Sequence, residues 1–245
     1  MHKRDSVDLV LVNPGNLELI YQSLASDLSA IEPPVWAGLM ATFVRRKGHS
    51  VAIVDANAER LTPEETAVRV SDFNPTLTAV VVYGHQPSAS TQNMTASGAV
   101  CSAIKQAAPE LKLMLVGGHV AALPQRTLEE EDIDFVSDGE GLYTMIDLLQ
   151  CLHAGGGDLD KVRGLLYWEG DVVRRTLSAP LFRELDSEMP GIAWDLLPME
   201  RYRAHNWHCL DTLQRQPYVA LYTTLGCPYH CNFCCIQAPF KSGEK

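Results

Sequence analysis

The chain has 245 residues, of which 46% are hydrophobic and 20% charged, an ordinary composition for a globular protein of one or two domains. Thirty acidic residues against twenty basic ones give a formal net charge of −10, which argues against a protein that binds nucleic acid over a basic surface. No apolar run approaches the roughly 20 residues of a transmembrane helix, and the N-terminus lacks the apolar region of a signal peptide. We therefore expect a cytoplasmic protein with neither nucleic acid nor membrane as a partner.

Short apolar runs alternate with helical patterns over the first 155 residues. Apolar residues from Trp36 to Val44 recur at helical spacing, and Lys47-Gly48 closes that helix. Thr62-Pro63-Glu64-Glu65 has the pattern of a capping box with proline at the first helical position. A last amphipathic helix begins at Leu142. The predicted strands are 8–12, 51–54, 77–83, 111–116 and 133–136.

Nearly all-apolar strands separated by helices indicate a parallel sheet that is covered on both faces. The sequence therefore predicts an α/β fold, with a doubly wound five-stranded parallel sheet in residues 1–155. In such sheets ligands bind beyond the carboxyl ends of the strands.

The loops at that edge are rich in glycine, which lets the backbone approach a ligand closely. Tight turns between strand and helix also need glycine, so a purely structural role is the alternative. The loop residues concerned are Asn13-Pro14-Gly15, Gly84-His85, Gly117-Gly118-His119 and Gly139-Glu140.

The rest of the chain has a different character. In residues 156–215 we predict a linker that contains a β-hairpin around Trp168-Glu169-Gly170-Asp171, followed by an extended crossover over 178–204. Residues 216–245 are predicted to begin a further domain, with a strand at 218–223 that leads into a cysteine-rich loop.

Five of the seven cysteines lie between residues 209 and 235, and three of them, Cys227, Cys231 and Cys234, have the spacing C-x3-C-x2-C. Three thiolates in one loop can hold three irons of a [4Fe–4S] cluster and leave the fourth iron open to another ligand. A zinc site is the alternative, in which Cys235, His230, Cys209 or His208 would complete the ligand set. Because zinc knuckles usually carry a second paired unit, and none is present, the cluster is favoured. Cys235 is expected to be a packed thiol.

The cysteine spacing, with aromatic Phe233 just before the third cysteine, resembles the radical S-adenosylmethionine (SAM) enzymes. The resemblance implies that the open iron chelates SAM, that Phe233 lies next to it, and that one electron from the cluster cleaves SAM to methionine and a 5′-deoxyadenosyl radical. An electron donor such as flavodoxin or ferredoxin is then implied as a partner.

The N-terminal half resembles the flavodoxin-like cobalamin-binding domain that precedes the barrel in the cobalamin-dependent radical SAM enzymes. Leu-Val-Asn13-Pro14, Val-Asp55-Ala-Asn57, Val116-Gly117-Gly118-His119 and Ser-Asp138-Gly139-Glu140-Gly141 carry the resemblance. It implies that cobalamin lies at Asn13, Pro14, Gly15, Gly84, His85, Gly117, Gly118, His119, Gly139 and Glu140.

The loop after the first strand departs from cobalamin domains that ligate cobalt through Asp-x-His-x-x-Gly, because it reads Asn13-Pro14-Gly15-Asn16-Leu17-Glu18. The resemblance therefore implies base-off cobalamin without a histidine on its lower face, although His85 or His119 could approach the corrin. Only 11 residues follow Cys234, whereas a (β/α) barrel needs on the order of 200 or more. We expect a truncated radical SAM domain that binds cofactor but does not turn over alone.

The function that the resemblance implies is methylation of an unactivated carbon or phosphorus centre of a small molecule, with methylcobalamin as the methyl donor. Cobalamin-dependent cyclisation or rearrangement is one alternative, and a non-catalytic cobalamin module with a zinc-bound tail is another. The tRNA methylthiotransferases are excluded, because only Cys101 and Cys151 precede residue 209 and a second cluster needs three cysteines. A nucleotide-binding domain is disfavoured by the absence of both glycine-rich phosphate motifs.

Overall fold

A mixed sheet with two helical layers forms the described part of the chain. The computed structural model describes residues 6–15, 30–84, 86, 89–205, 216–229 and 231–240. The strands are β1 (Leu9–Asn13), β2 (Val51–Asp55), β3 (Leu77–Val82), β4 (Leu113–Gly117), β5 (Phe135–Ser137), β6 (Leu165–Glu169) and β7 (Val172–Arg175). The helices are α1 (Val35–Arg46), α2 (Ala56–Glu59), α3 (Pro63–Asp72), α4 (Ala89–Ala107), α5 (Gly118–Ala122), α6 (Pro124–Glu130), α7 (Leu142–His153), α8 (Leu185–Glu188) and α9 (Gln237–Phe240).

The strand order is β2-β1-β3-β4-β5-β6-β7, and the first five strands of this order run parallel. This confirms the doubly wound parallel sheet that the sequence predicts, with the 2-1-3-4-5 order of flavodoxin-like folds. The predicted hairpin is present as β6 and β7, and β6 pairs antiparallel with β5. The sheet therefore continues past residue 155 and gains an antiparallel edge.

Both faces of the sheet are buried because successive side chains of a strand point to opposite faces. Leu9 and Leu11 of β1 pack toward α1 and α7, whereas Val10 and Val12 pack toward α3 and α4. The same alternation along β3 and β4 produces one apolar layer on each face. The near-continuous apolar strands of the sequence follow from this double burial.

The helix boundaries show the local signals that the sequence contains. Thr62 Oγ1 accepts from the Glu65 backbone N–H at 3.1 Å, and the Glu65 carboxylate accepts from the Thr62 N–H at 2.9 Å, which is a complete capping box. Helix α1 ends at Arg46 with Lys47 as its C-cap, and Gly48 follows with φ of +89°. A left-handed backbone at that position favours glycine.

The segment after β7 folds back along the α1 side of the sheet. It contains α8 and two 3-10 turns, Trp194–Leu196 and Met199–Arg201, which agrees with the predicted crossover of little regular structure. Its Ala193 N–H donates to the Gly38 carbonyl at 3.1 Å, and Tyr202 is fully buried. The segment is thus held against the sheet.

The strand predicted at 218–223 is wrong: these residues are described and form no strand, and the pairing nearest to them is an isolated bridge between Arg203 and Pro217. A strand needs a neighbour for its backbone groups, and none of the described residues pairs with 218–223. Among the described residues, no helix combines the length and apolar character needed to cross a bilayer.

Candidate cobalamin edge and cysteine loop

A cavity opens at the carboxyl ends of β3 and β4, next to the point between β1 and β3 where the strand order reverses direction. This reversal is the point at which doubly wound sheets bind ligands. The cavity holds about 160 Å³. Its walls come from the start of α1, the ends of β3 and β4, and the segment 222–240, through Trp36, Tyr83, Gly84, Gln86, Ser90, Gly118, Tyr222, Thr224, Leu225, Gly226, Cys235, Ile236, Pro239 and Phe240.

Aromatic rings form one wall of the cavity. Trp36 stacks on Tyr83 with 4.2 Å between the ring centroids and 18° between the planes. Phe240 and Tyr222 approach the same indole at 5.9 and 6.3 Å. Burial raises the pKa of Tyr83, so its hydroxyl stays protonated and donates weakly to the Glu140 carbonyl at 3.4 Å. This wall offers a flat apolar surface with few hydrogen-bonding groups.

Ser90 fixes the two loops that form the floor of the cavity. Its buried hydroxyl donates to the Val82 carbonyl at the end of β3 and accepts from the His119 backbone N–H at 2.8 Å. A Cβ at Gly84 would overlap Ala89, so glycine is required there for the chain to turn into α4. The ends of β3 and β4 are thus held in register by one side chain.

Three of the residues that the resemblance assigns to cobalamin, Asn13, Pro14 and Gly15, are packed within the fold and do not line this cavity. Asn13 Nδ2 donates to Asp55 Oδ1 at 2.8 Å, which joins the ends of β1 and β2. A Cβ at Gly15 would overlap the backbone of Ala56 and Asn57.

Asp55 is 1% exposed and is the centre of a polar cluster at this position. Besides Asn13, it accepts from the Tyr202 hydroxyl at 2.7 Å and from the Ala58 N–H at 3.1 Å. Burial raises the pKa of Asp55, and these hydrogen bonds oppose that shift. The cluster is a structural anchor between β2 and the segment after β7.

Some residues at the end of β4 line the cavity, and others are packed within the fold. Gly118 lines the cavity, whereas Gly117 is buried, and a Cβ there would overlap the Val82 carbonyl. His119 is half-buried, with Nδ1 at 3.0 Å from Thr91 Oγ1, and burial together with the Arg126 charge lowers its pKa. His85 lies outside the described residues.

Gly139 and Glu140 lie beside the cavity, on the other side of Pro239. Glu140 is buried, and its carboxylate accepts from the Phe182 N–H at 2.6 Å. Burial raises the pKa of Glu140 to about 7, against the opposing effect of that hydrogen bond. A Cβ atom placed on Gly139 would lie 3.7 Å from the Pro239 carbonyl oxygen, so the loop after β5 lies close to α9.

The predicted cluster cysteines lie in an open loop. Cys227 and Cys234 are partly buried, Cys231 is exposed, and none of them forms a disulfide. The Cys234 N–H donates to the Cys231 carbonyl at 3.1 Å, which makes a turn within the motif. Phe233 is 88% exposed.

Cys235 is exposed and lines the cavity edge, so the expectation of a packed thiol is wrong. The cysteine loop continues into Ile236 and α9, whose side chains close the cavity. The three thiols of the motif are therefore followed directly in sequence by the residues that close the cavity at the carboxyl-end edge. His208, Cys209 and His230, which the zinc alternative invokes, lie outside the described residues.

The chemistry of these residues fits both groups that the resemblance implies, a [4Fe–4S] cluster and cobalamin. Three free thiols within eight residues match three irons of a [4Fe–4S] cluster. The edge offers aromatic walls and glycine backbone to an apolar macrocycle. Pockets for drug-sized ligands hold about 300–1,000 Å³, so a cavity of about 160 Å³ is too small for a corrin while residues 222–240 pack against the edge.

The sequence alone does not identify the aromatic residues as site residues, because it predicts Trp36 on a core helix face and Tyr83 at the end of a strand. Tyr222 and Phe240 are far from both in sequence. Position at the carboxyl end of β3 was the one signal available for Tyr83.

Comparison with known proteins agrees with this architecture. The family described as the B12 binding domain matches residues 22–149. An uncharacterized methyltransferase of Pyrococcus horikoshii is 31% identical over 209 residues, which cover 85% of this chain and 41% of that protein. The anaerobic magnesium-protoporphyrin IX monomethyl ester cyclase of Cereibacter sphaeroides is 24% identical, over 92% of this chain and 34% of that protein.

The solved structure of the cobalamin-dependent S-adenosylmethionine radical enzyme OxsB, with aqua-cobalamin and S-adenosylmethionine bound, matches with a TM-score of 0.58 and 17% identity. The match covers 78% of this chain and 24% of that one, and it shows the shared fold. This chain spans less than half the length of the curated relatives described above.

The class that the fold and the edge define is a doubly wound α/β domain of the cobalamin-binding type. The chain belongs to the B12 binding domain family, and the match covers more than half of its residues. The resemblance to the cobalamin-dependent radical SAM enzymes is confirmed by the relatives and the solved structure.

Proposed function

We propose that this chain supplies the cobalamin-binding domain and the cluster loop of a radical SAM methyltransferase that acts on an unactivated carbon or phosphorus centre of a small molecule. One observation carries the proposal. The segment that contains the C-x3-C-x2-C thiols packs, through Ile236 and α9, against the carboxyl-end edge of a B12-binding fold.

When bound, the two groups would supply complementary chemistry: an electron from the cluster for SAM cleavage, and a methyl group from cobalamin. The roles of the chain's own residues follow from their positions. Cys227, Cys231 and Cys234 would hold three irons and leave one open to SAM, with Phe233 beside it. Trp36 and Tyr83 would cover one side of the corrin and exclude water from it.

The proposal divides the chain into a cobalamin-binding-like domain over 1–155, a linker with a β-hairpin over 156–215 and the start of a radical SAM domain over 216–245. It also includes an electron donor such as flavodoxin or ferredoxin as a partner. Methyl transfer is favoured over cyclisation because the 31% identical relative is described as a methyltransferase.

Cobalamin binding is tested by anaerobic titration of the chain with cob(II)alamin, followed by EPR. We expect a base-off spectrum without nitrogen superhyperfine splitting, because the loop after β1 has no histidine up to residue 18. Nitrogen splitting that disappears in His119→Gln would instead assign His119 as a ligand. Absence of binding would contradict the proposal for the first 155 residues.

The cluster is tested by anaerobic reconstitution with iron and sulfide. We expect about four irons and four sulfides per chain, with the loss of both in Cys227→Ser, Cys231→Ser and Cys234→Ser. The matched control is Cys235→Ser, an exposed neighbour in the same loop, which should retain the cluster. Zinc without sulfide in the purified chain would instead support the non-catalytic module.

Cyclisation is the second candidate, because one relative is described as a cyclase. The products of SAM separate the two reactions, since methyl transfer from SAM through cobalamin leaves S-adenosylhomocysteine and cyclisation alone does not. Because the chain alone is expected not to turn over, the incubation uses a protein in which it is joined to a complete radical SAM barrel. After anaerobic incubation with SAM, cobalamin and a reductant, mass spectrometry measures S-adenosylhomocysteine and 5′-deoxyadenosine together.

A further inference from the structure

Two histidines and an aspartate converge at the amino-terminal end of the sheet, opposite the cobalamin edge. Asp8 immediately precedes β1, His49 lies in the turn before β2, and His153 is the last residue of α7. Their ligand atoms all lie within 4.8 Å of one another. A five-residue strand rises about 16 Å, so this cluster is separate from the cavity at the carboxyl ends.

The three side chains face one another. His153 Nε2 is 3.0 Å from Asp8 Oδ1, and His49 Nδ1 is 3.8 Å from Asp8 Oδ2. The two imidazole rings stack with 5.9 Å between their centroids and 21° between their planes. Both rings thus present a nitrogen to the same carboxylate.

Ser50 holds the Asp8 carboxylate in this orientation. The Ser50 N–H and hydroxyl donate to Asp8 Oδ2 at 2.7 and 2.8 Å, and the Asp8 N–H donates to the Ser50 hydroxyl at 2.9 Å. Among the described residues, the ion-pair partners of this carboxylate within 4 Å are the two histidines. Hydrogen bonds of this kind orient the ligands of metal sites.

We propose that Asp8, His49 and His153 form a binding site for a divalent transition metal ion of the zinc type. Imidazole nitrogen and carboxylate oxygen are ligands that zinc prefers, and two histidines with one carboxylate leave a coordination position open. The side chains of Asp8, His49 and His153 are 27%, 14% and 42% exposed, so an ion can enter from solvent and a water can complete its coordination.

The ion would connect three elements that are distant in sequence: the start of β1, the turn before β2 and the end of α7. Because a ligand that binds only the folded state stabilises it by RT ln(1 + L/Kd), where L is the free ligand concentration, zinc binding here raises the melting temperature. The site is independent of cobalamin and of the cluster.

The test separates this site from the thiols of residues 227–235. A variant of the chain with Cys227, Cys231, Cys234 and Cys235 replaced by serine is titrated with chelator-buffered Zn²⁺ by calorimetry, with its melting temperature recorded alongside. We expect one more equivalent of zinc than in the same variant carrying His153→Gln or His49→Gln. His205→Gln is the matched control, because it removes a histidine elsewhere in the chain.

Folding is checked by circular dichroism without zinc, and His153→Gln is suited to this because its side chain lies partly in solvent at a helix end. Ser50→Ala should weaken zinc binding by about 10-fold or more, since it removes the group that orients Asp8. An equal zinc stoichiometry and an equal rise in melting temperature in the parent and both histidine variants would overturn the proposal.

Discussion

At the scale of single residues, Tyr202 and Asp55 form a buried contact between positions 147 residues apart. Replacing Tyr202 by phenylalanine keeps the ring but removes a donor to a carboxyl group that water does not reach. We expect a loss of about 1–3 kcal/mol in the free energy of unfolding, the usual cost of an unsatisfied buried polar group. Urea denaturation measures it.

Tyr167→Phe is the matched control for this prediction. The Tyr167 hydroxyl donates to Asp160 at 2.9 Å, but Asp160 is exposed and can bond to water after the substitution. Its cost should therefore be smaller than that of Tyr202→Phe. Equal costs would show that burial of Asp55 does not determine the effect.

Glu140 makes the stability of the protein depend on pH. Its pKa is about 7 in the folded protein and about 4.5 when exposed, so the folded state binds more protons between these values. The free energy of unfolding should therefore fall as pH rises from about 4.5 to 7, by up to about 3 kcal/mol. Below pH 4.5 the group is protonated in both states and contributes no slope.

Glu140→Gln tests this dependence, because the amide keeps an acceptor for the Phe182 N–H and carries no charge. We expect its unfolding free energy to lose this slope and to exceed that of the unmodified chain at pH 8. The exposed Glu110→Gln serves as the control and should leave the slope unchanged. An unchanged slope in Glu140→Gln would assign the pH dependence to other groups.

The aromatic residues that line the cavity could not be found from the sequence. Trp36, Tyr83, Tyr222 and Phe240 meet only because α1, β3 and the segment 222–240 come together at one edge. No pattern of spacing within a short stretch of sequence predicts that contact. Gly84 and Gly118 were found, because a glycine after a parallel strand has a local signature.

At the scale of secondary-structure elements, the capping box of α3 is a local signal with a measurable effect. Thr62→Ala removes the acceptor for the Glu65 N–H and leaves that donor to solvent. We expect a loss of about 1 kcal/mol in the free energy of unfolding, the typical value for an N-cap. Thermal and urea denaturation measure it, and a change below about 0.3 kcal/mol would show that solvent replaces the cap.

The elements that were predicted correctly have a physical reason in common. The five parallel strands are buried on both faces, so their sequences are nearly all apolar and differ from the helices beside them. The strand predicted at 218–223 failed because its apolar run has no neighbouring strand to pair with among the described residues. The place of the hairpin in the sheet was not predictable, since its pairing with β5 is non-local.

At the scale of the whole molecule, we predict that the segment 222–240 and the corrin compete for one surface. Tyr222 and Phe240 pack against Trp36, and the Tyr222 hydroxyl approaches the Gly84 carbonyl at 3.4 Å. The open space at the edge is about 160 Å³, so under this prediction cobalamin would bind only after the segment moves away. The apparent affinity is then reduced by the fraction of molecules in which the edge is closed.

Phe240→Ala should therefore increase the apparent affinity of the chain for cob(II)alamin, because it removes an aromatic contact that exists only in the closed arrangement. Equilibrium binding followed by the corrin absorbance measures the effect, and the exposed Phe233→Ala is the matched control, since its ring does not line the cavity. A several-fold decrease in affinity would mean instead that Phe240 contacts the bound corrin. The same segment would then close over the cofactor and bring Cys227, Cys231 and Cys234 toward it, so the sign of the change decides whether 222–240 acts as a competitor or as a cover.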